Sequence, residues 1–153
     1  MNITLQTDLF FREKYLKKIR DFYHDTELIK VITGVRRCGK SSLIQMIISE
    51  LLSDGISEDN IIFFNLDKRP YFDITTAVEL NALIKENSYS DGKKYLFIDE
   101  IQNINNFEAT INAWREEGDF SIFITGSNSY LLSGELSTKL TGRYIEIDMY
   151  PLT

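Results

Sequence analysis

Apolar runs alternate with amphipathic stretches along most of this chain. The runs at residues 28–32, 61–64, 95–98, 121–125 and 144–149 are rich in Ile, Leu, Val, Phe and Tyr, and they predict five β-strands. These runs are mostly apolar at successive positions, which is typical of strands that are buried on both faces of a sheet. The stretches between the runs therefore have to supply the covering layers.

Helical periodicity marks the stretches between the predicted strands. Apolar residues recur at intervals of three and four, which predicts amphipathic helices at residues 9–23, 43–52, 80–84 and 107–114. Thr76 followed by Glu79 fits a capping box at the start of the third of these helices. A further helix is expected around residues 134–140, before the last strand.

The order of these elements favours one fold class. Strands that alternate with helices need crossover connections, and crossovers join parallel strands. We therefore predict an α/β fold, a three-layer α/β/α sandwich with a central five-stranded parallel sheet. The expected organisation is an N-terminal helical arm at residues 1–27 and a core domain at residues 28–153.

Composition narrows the class of protein. The 153 residues, 43% of them hydrophobic and 26% charged, suit one soluble globular domain. The single cysteine excludes an internal disulfide, and neither a signal-peptide pattern nor a bilayer-spanning apolar run is present, so a cytoplasmic location is expected. The net charge of −6 weighs against bulk nucleic-acid binding by this domain.

Residues 34–41 form the most informative motif. Their sequence, Gly-Val-Arg-Arg-Cys-Gly-Lys-Ser, fits G-x-x-x-x-G-K-[ST], the phosphate-binding P-loop. The motif follows a predicted strand and opens a predicted helix, so that backbone N–H groups and the helix dipole converge on one point. Lys40 is expected to reach the β- and γ-phosphates, and Ser41 is expected to bind Mg²⁺. The alternative interpretation is a glycine turn before an ordinary helix.

The residues expected to bind the phosphates are Gly34, Val35, Arg36, Arg37, Cys38, Gly39, Lys40, Ser41 and Ser42. Gly34 and Gly39 let the backbone approach the phosphates because they carry no Cβ. Arg36 and Arg37 form a solvated loop edge in the alternative interpretation. Cys38 is not expected to be catalytic, although a helix N-terminus at this point favours its thiolate.

Two acidic residues, Asp99 and Glu100, follow the predicted strand at residues 95–98. Neighbouring carboxylates at the tip of a buried strand repel each other unless a cation compensates. We expect Asp99 to hold Mg²⁺ through a water molecule and Glu100 to act as the general base on the attacking water. The alternative is a pair of solvent-facing acids. A water-activating carboxylate favours ATP hydrolysis over phosphoryl transfer to a hydroxyl, and the Asn-Lys-x-Asp guanine motif of many GTPases is absent.

Two further catalytic candidates lie nearer the C-terminus. Ser127 or Asn128, after the fourth predicted strand, is expected beside the γ-phosphate, where it could hydrogen-bond the phosphate or the attacking water. The alternative is a turn that these side chains cap. Arg143, before the last strand, is either a solvated charge or an arginine finger that reaches the γ-phosphate of a neighbouring subunit.

The P-loop, the two acids, Ser127–Asn128 and Arg143 occur in an order that resembles the AAA-type ATPases. More narrowly, the chain resembles a bacterial and archaeal group of predicted ATPases that share this P-loop sequence. The resemblance extends over residues 96–102, 124–128, 134–143 and 150–152.

This resemblance implies a module that binds ATP and Mg²⁺, with the P-loop strand central in a five-strand sheet. It implies a sensor role for Ser127 or Asn128 and a finger role for Arg143, the latter within a homo-oligomer. Similar proteins carry further C-terminal domains. The helical lid of AAA proteins is not found in residues 1–153, so we expect weak hydrolysis by this fragment.

The leading hypothesis is therefore Mg-dependent ATP hydrolysis within a larger protein. The alternative is a nucleotide-gated switch that hydrolyses slowly and signals to attached domains or partners. A scaffold that no longer binds nucleotide is disfavoured because Lys40, Ser41, Asp99 and Glu100 are all present. The sequence does not choose between nucleic acid and protein as the client.

Overall fold

Five parallel strands form a single sheet in the computed structural model, which describes residues 12–35, 38–127, 139–140 and 142–150. The strands are β1 (Ile29–Thr33), β2 (Ile61–Asn65), β3 (Lys94–Asp99), β4 (Phe120–Gly126) and β5 (Tyr144–Asp148). Their order across the sheet is β2-β3-β4-β1-β5, and every neighbouring pair is parallel. The predicted α/β architecture is confirmed. The P-loop strand β1 is an interior strand, while β4 occupies the middle position.

Four helices accompany the sheet in the described part of the chain. They are α1 (residues 12–19), α2 (Lys40–Ser53), α3 (Ala77–Asn87) and α4 (Phe107–Glu116), and short 3₁₀ turns lie at Arg20–Phe22, Glu58–Asn60 and Ile101–Asn103. The capping box at the start of α3 is confirmed, since Thr76 and Glu79 each accept the backbone N–H of the other. Of the helix expected at residues 134–140, only residues 139 and 140 are described.

The helices cover both faces of the sheet. One face packs against α1 and α2 through a cluster that includes Tyr15, Leu16, Ile19, Ile32, Leu43, Ile44, Ile47, Phe97 and Phe123. The other face packs against α3 and α4 through a cluster that includes Val31, Leu80, Ile84, Leu96, Ile98, Phe107, Ile111 and Ile124. Residues next to each other on β3, such as Leu96 and Phe97, enter opposite clusters, which explains why the strand sequences are continuously apolar.

The first helix is part of this core. Tyr15, Leu16 and Ile19 are at most 1% exposed, and the Tyr15 hydroxyl accepts the backbone N–H of Tyr150 at 3.0 Å. The boundary at residue 27 between an arm and a core domain stays a prediction. No helix in the described ranges combines the length and the apolar character that crossing a membrane requires.

A lysine is buried at the amino end of the P-loop strand. Lys30 has no exposed surface, and its Nζ donates hydrogen bonds to the Asp25 carbonyl at 2.5 Å and to Ser121 Oγ at 2.9 Å. The ammonium also lies 4.7 Å from the centroid of the Phe123 ring. Burial lowers the pKa of Lys30 to about 7, with the Lys93 charge in the same direction and Asp25 opposing it.

We predict that Lys30→Met flattens the pH dependence of stability. Between pH 7 and about 10.4 the unfolded chain holds a proton on Lys30 that the folded chain has released, so the free energy of unfolding rises with pH in this window, by at most about 1.4 kcal/mol per unit. Urea unfolding of both proteins from pH 6.5 to 9.5 measures the difference. Lys85→Met, at an exposed lysine on α3 that is not among the charges acting on Lys30, is the control. Parallel curves for Lys30→Met and the parent would contradict the buried, partly neutral amine.

Candidate functional site

The P-loop begins where β1 ends, and its first glycine is enclosed. A Cβ added to Gly34 would lie 2.4 Å from Cys38 Sγ and 2.9 Å from the Met149 carbonyl oxygen. These distances are shorter than van der Waals contact, so no larger residue fits without displacing the backbone of the strand end. Gly39 has a left-handed backbone with a φ of +96°, which favours glycine. Arg36 and Arg37 lie outside the described residues.

Helix α2 starts directly from this loop. Gly39 is its N-cap and supplies no side chain to the first-turn N–H groups, and no acidic residue lies in the first turn. The helix has 14 residues, so its N-terminus carries a substantial positive dipole end. An anion at this point is therefore favoured by both the N–H groups and the dipole.

The pKa of Cys38 shifts in the direction opposite to the one expected from the helix N-terminus, which would favour the thiolate. The residue is 5% exposed, and burial raises the pKa of its thiol, which outweighs the opposing effect of Lys40. The thiol is thus favoured over the thiolate, in keeping with a packing role against Gly34.

Lys40 lies over the loop. Its Nζ donates hydrogen bonds to the carbonyl oxygens of Gly34 at 2.7 Å and Val35 at 3.0 Å. It also lies 3.6 Å from Glu100 Oε1, and the residue is 4% exposed. A buried ammonium needs such partners, and phosphate oxygens could replace them.

The carboxylate of Asp99 joins three elements. It ends β3, and its two oxygens accept hydrogen bonds from Ser41 Oγ on α2 and Thr125 Oγ1 on β4. Asp99 is 1% exposed, so it is not a solvent-facing acid. Carboxylate and hydroxyl oxygens are ligands that suit Mg²⁺, which is usually held by one or two carboxylates together with phosphate groups. The described residues contain no cluster of three or more His, Cys, Asp or Glu side chains suited to a metal.

Glu100 has an unusual backbone, and its carboxylate makes two polar contacts. Its φ of +60° is left-handed, and its N–H donates to Thr125 Oγ1 at 3.0 Å. A non-glycine residue in this conformation carries a cost and is often found at a functional site. The carboxylate is 3.6 Å from Lys40 through Oε1 and accepts a hydrogen bond from Gln102 Nε2 through Oε2.

Ser127, which directly follows β4, lies close to the side chain of Gln102. Gln102 Nε2 lies 3.5 Å from Ser127 Oγ, so a single amide lies between Ser127 and Glu100. Asn128, the other candidate at this position, lies outside the described residues. Sequence reasoning placed Thr125 in the polar segment after the fourth predicted strand without giving it a role of its own, and it assigned no role to Gln102. The signal for Thr125 was its place at the end of the strand that pairs with β3, where Ile98 faces Ile124.

A cavity of about 590 Å³ at the carboxyl end of the sheet, which we call the candidate site, is bordered by Lys40, Ser41, Asp99 and Glu100. Its lining residues are Arg12, Gly39, Lys40, Ser41, Ser42, Asn65, Asp67, Lys68, Asp99 and Glu100. Arg12 and Lys68 were not identified from the sequence, because neither belongs to a motif. The volume is within the usual range for small-molecule sites.

Arg143 lies at the opposite end of the sheet. It precedes β5, and its carbonyl oxygen accepts the N–H of Ile29, the first residue of β1, at 3.0 Å. With Arg115, Glu27 and Glu116 it lines a separate cleft of about 660 Å³. Arg143 is therefore not brought together with the candidate site of its own chain.

Comparison with known proteins identifies related sequences. The family model described as AAA domain matches residues 26–153. An uncharacterized protein of Haemophilus influenzae is 44% identical over 143 residues, which are 93% of this chain and 36% of that protein. An uncharacterized protein of Methanocaldococcus jannaschii is 37% identical over 142 residues, with 89% and 31% covered. The chain thus spans about a third of the length of these curated relatives.

Solved structures share the fold at low sequence identity. Cdc6p from Pyrobaculum aerophilum has a TM-score of 0.59 at 12% identity, with 88% of this chain and 44% of that chain covered. The Hsp104–ADP complex of Saccharomyces cerevisiae has a TM-score of 0.61 at 18% identity, with 90% and 21% covered. Rif2 of the same yeast has a TM-score of 0.60 at 16% identity, with 92% and 56% covered. These likenesses concern the fold alone.

We predict that Gly34→Ala destabilises the fold by about 1–3 kcal/mol, the usual range for overpacking. The added carbon overlaps Cys38 Sγ and the Met149 carbonyl, so the loop or the end of β5 must move. Urea unfolding measures the loss. Gly118→Ala is the control, because it also has a positive φ but no atom within 4 Å of the added carbon. A loss for Gly34→Ala no larger than that of the control would argue against the close approach.

Proposed function

Because this chain belongs to the AAA domain family, we propose that it is the nucleotide-binding part of a larger protein and that it binds and hydrolyses ATP in the presence of Mg²⁺. The observation that carries this proposal is the convergence of Lys40, Ser41, Asp99 and Glu100 on one cavity at the N-terminus of α2. The preference for adenine is proposed from the AAA family match, and Hsp104, which shares the fold, was solved as an ADP complex.

The triphosphate is proposed to lie along the P-loop. The helix N-terminus offers N–H groups to the phosphates, and Lys40 would exchange its contacts with the Gly34 and Val35 carbonyls for phosphate oxygens. The loop residues Arg36, Arg37 and Cys38, together with Ser42 in the first turn of α2, are proposed to contact phosphate from the same side.

Ser41 and Asp99 are the residues that would hold Mg²⁺. When bound, the ion would neutralise charge on the phosphate oxygens. Thr125 fixes Asp99 from the other side through its hydrogen bond, which keeps one carboxylate oxygen directed at Ser41. Thr125 is therefore proposed as a positioning residue.

Glu100 is proposed as the general base. It would take a proton from a water molecule as the water oxygen bonds to the γ-phosphorus and the bond to the β–γ bridging oxygen breaks, which yields ADP and phosphate. Glu100 lines the cavity and is 7% exposed, so the reaction would take place away from bulk solvent. Ser127 or Asn128 is proposed as the sensor of the γ-phosphate.

Arg143 is proposed to act on a second copy of the chain. Its place at the amino end of the sheet keeps it away from its own site, so a finger role requires a homo-oligomer. A slow, nucleotide-gated switch is the second candidate function. It is favoured by the contacts of Glu100, whose two carboxylate oxygens face Lys40 and Gln102 of the same chain.

We predict that Lys40→Ala weakens Mg-ATP binding at least about tenfold, since the ammonium contact with phosphate is lost. Isothermal titration calorimetry measures the affinity. Lys85→Ala, at an exposed position on α3, should bind like the parent. Equal affinities for Lys40→Ala and the parent would remove the phosphate role of the P-loop.

Glu100→Gln should retain Mg-ATP binding and reduce turnover by about 10²–10⁴-fold, the usual contribution of a general base. Phosphate release under saturating ATP measures the rate, and calorimetry measures binding by the same protein. Glu86→Gln, at an exposed glutamate on α3, is the matched control. Turnover at the parent rate by Glu100→Gln would rule out the general-base role.

A further inference from the structure

Gln102 is the residue behind Glu100. It lies in the 3₁₀ turn Ile101–Asn103, and it is not among the residues that line the candidate site. Its Nε2 donates a hydrogen bond to Glu100 Oε2 and lies 3.5 Å from Ser127 Oγ. The two N–H groups of one amide can therefore serve the carboxylate and the hydroxyl together.

The other end of the same amide has no partner. Gln102 Oε1 is buried, and no group in the described ranges donates a hydrogen bond to it. A buried acceptor without a donor costs about 1–3 kcal/mol. An apolar side chain of equal length would avoid this cost, so packing does not explain a glutamine here. Its hydrogen bond to Glu100 does.

The backbone brings the two side chains together. Residues two apart do not normally face each other in a helical turn. Glu100 has a left-handed backbone that its hydrogen bond to Thr125 holds, and this bend turns the chain so that Gln102 meets the Glu100 carboxylate. The left-handed backbone of Glu100 and the unpaired oxygen of Gln102 are thus both costs that accompany the hydrogen bond between Gln102 and Glu100.

We propose that Gln102 is a positioning residue, which orients the Glu100 carboxylate toward the cavity and links that orientation to Ser127. This assignment rests on the proposed hydrolysis. When Lys40 turns to phosphate, Glu100 loses the contact at Oε1, and the amide of Gln102 is the hydrogen bond that still fixes its second oxygen. Gln102 therefore acts on the chemical step and not on nucleotide binding.

The test is Gln102→Met, which keeps the length of the side chain and removes both the donor and the orphaned acceptor. We expect kcat for ATP to fall about 10–100-fold, with KM and the calorimetric affinity for Mg-ATP within about twofold of the parent. The melting temperature is measured beside kcat, because the variant removes the unpaired oxygen and also one hydrogen bond to the buried Glu100 carboxylate, and these two changes have opposite effects on stability. A merely structural role would lower stability and leave kcat per folded molecule unchanged.

Two further single variants and one double variant complete the design. Gln102→Glu keeps the shape and replaces the donor with a second carboxylate, so it should lose at least as much kcat as Gln102→Met and serves if the latter does not fold. Gln45→Met, at an exposed glutamine on α2, should match the parent. In the Glu100→Gln background, Gln102→Met should cause no further loss, since the two residues act as a unit.

The outcomes separate the two claims. If Glu100→Gln abolishes turnover while Gln102→Met and Gln102→Glu keep the parent kcat, the positioning role is wrong and the proposed function stands. A loss that is equally large in the Glu100→Gln background would show that Gln102 does not act through Glu100, and would also overturn it. A parent chain without turnover would overturn the proposed hydrolysis and this assignment with it.

Discussion

The candidate site depends on the two hydrogen bonds that the buried carboxylate of Asp99 accepts. Its hydrogen bonds with Ser41 and Thr125 tie β3 to the P-loop helix on one side and to β4 on the other. Charged groups are expensive to bury unless they are hydrogen-bonded, and these two hydroxyls provide that compensation. Because Asp99 accepts a hydrogen bond from each neighbour, it links the N-terminus of α2 to the end of β4 at the carboxyl end of the sheet.

Much of this fold follows from one-dimensional patterns. The strands were predictable because burial on both faces requires continuous apolar runs, and the start of α3 was predictable because Thr76 and Glu79 are a local pair. The meeting of the P-loop with the two acids at the end of β3 was predictable for a different reason. Parallel strands bring their carboxyl ends to one side, so polar residues that follow them meet whatever the sequence distance between them is.

The contacts between neighbouring strands were not predictable in this way. Thr125 reaches Asp99 only because β4 lies between β3 and β1. The periodicity of apolar residues predicts where strands occur but not their order in the sheet. Gln102 contacts the Glu100 side chain because the backbone of Glu100 is left-handed, a conformation that local propensity does not favour for glutamate. For Arg143, the sequence left a solvated charge and a finger equally open. Arg143 lies at the amino end of β1 and β5, and this position excludes an action on the candidate site of its own chain. The position follows from the register of the two strands, which composition does not reveal.

The charged residues of the candidate site are already paired within the chain, so a ligand must exchange contacts. Lys40 would give up two carbonyl oxygens, which carry only partial charge, for phosphate oxygens, whose formal negative charge attracts the ammonium more strongly. The same movement would take the ammonium away from Glu100, which lies 3.6 Å from it. Under the proposed function, seating the triphosphate and freeing the base are therefore one event, and Glu100 is held by a cation until the substrate itself removes it.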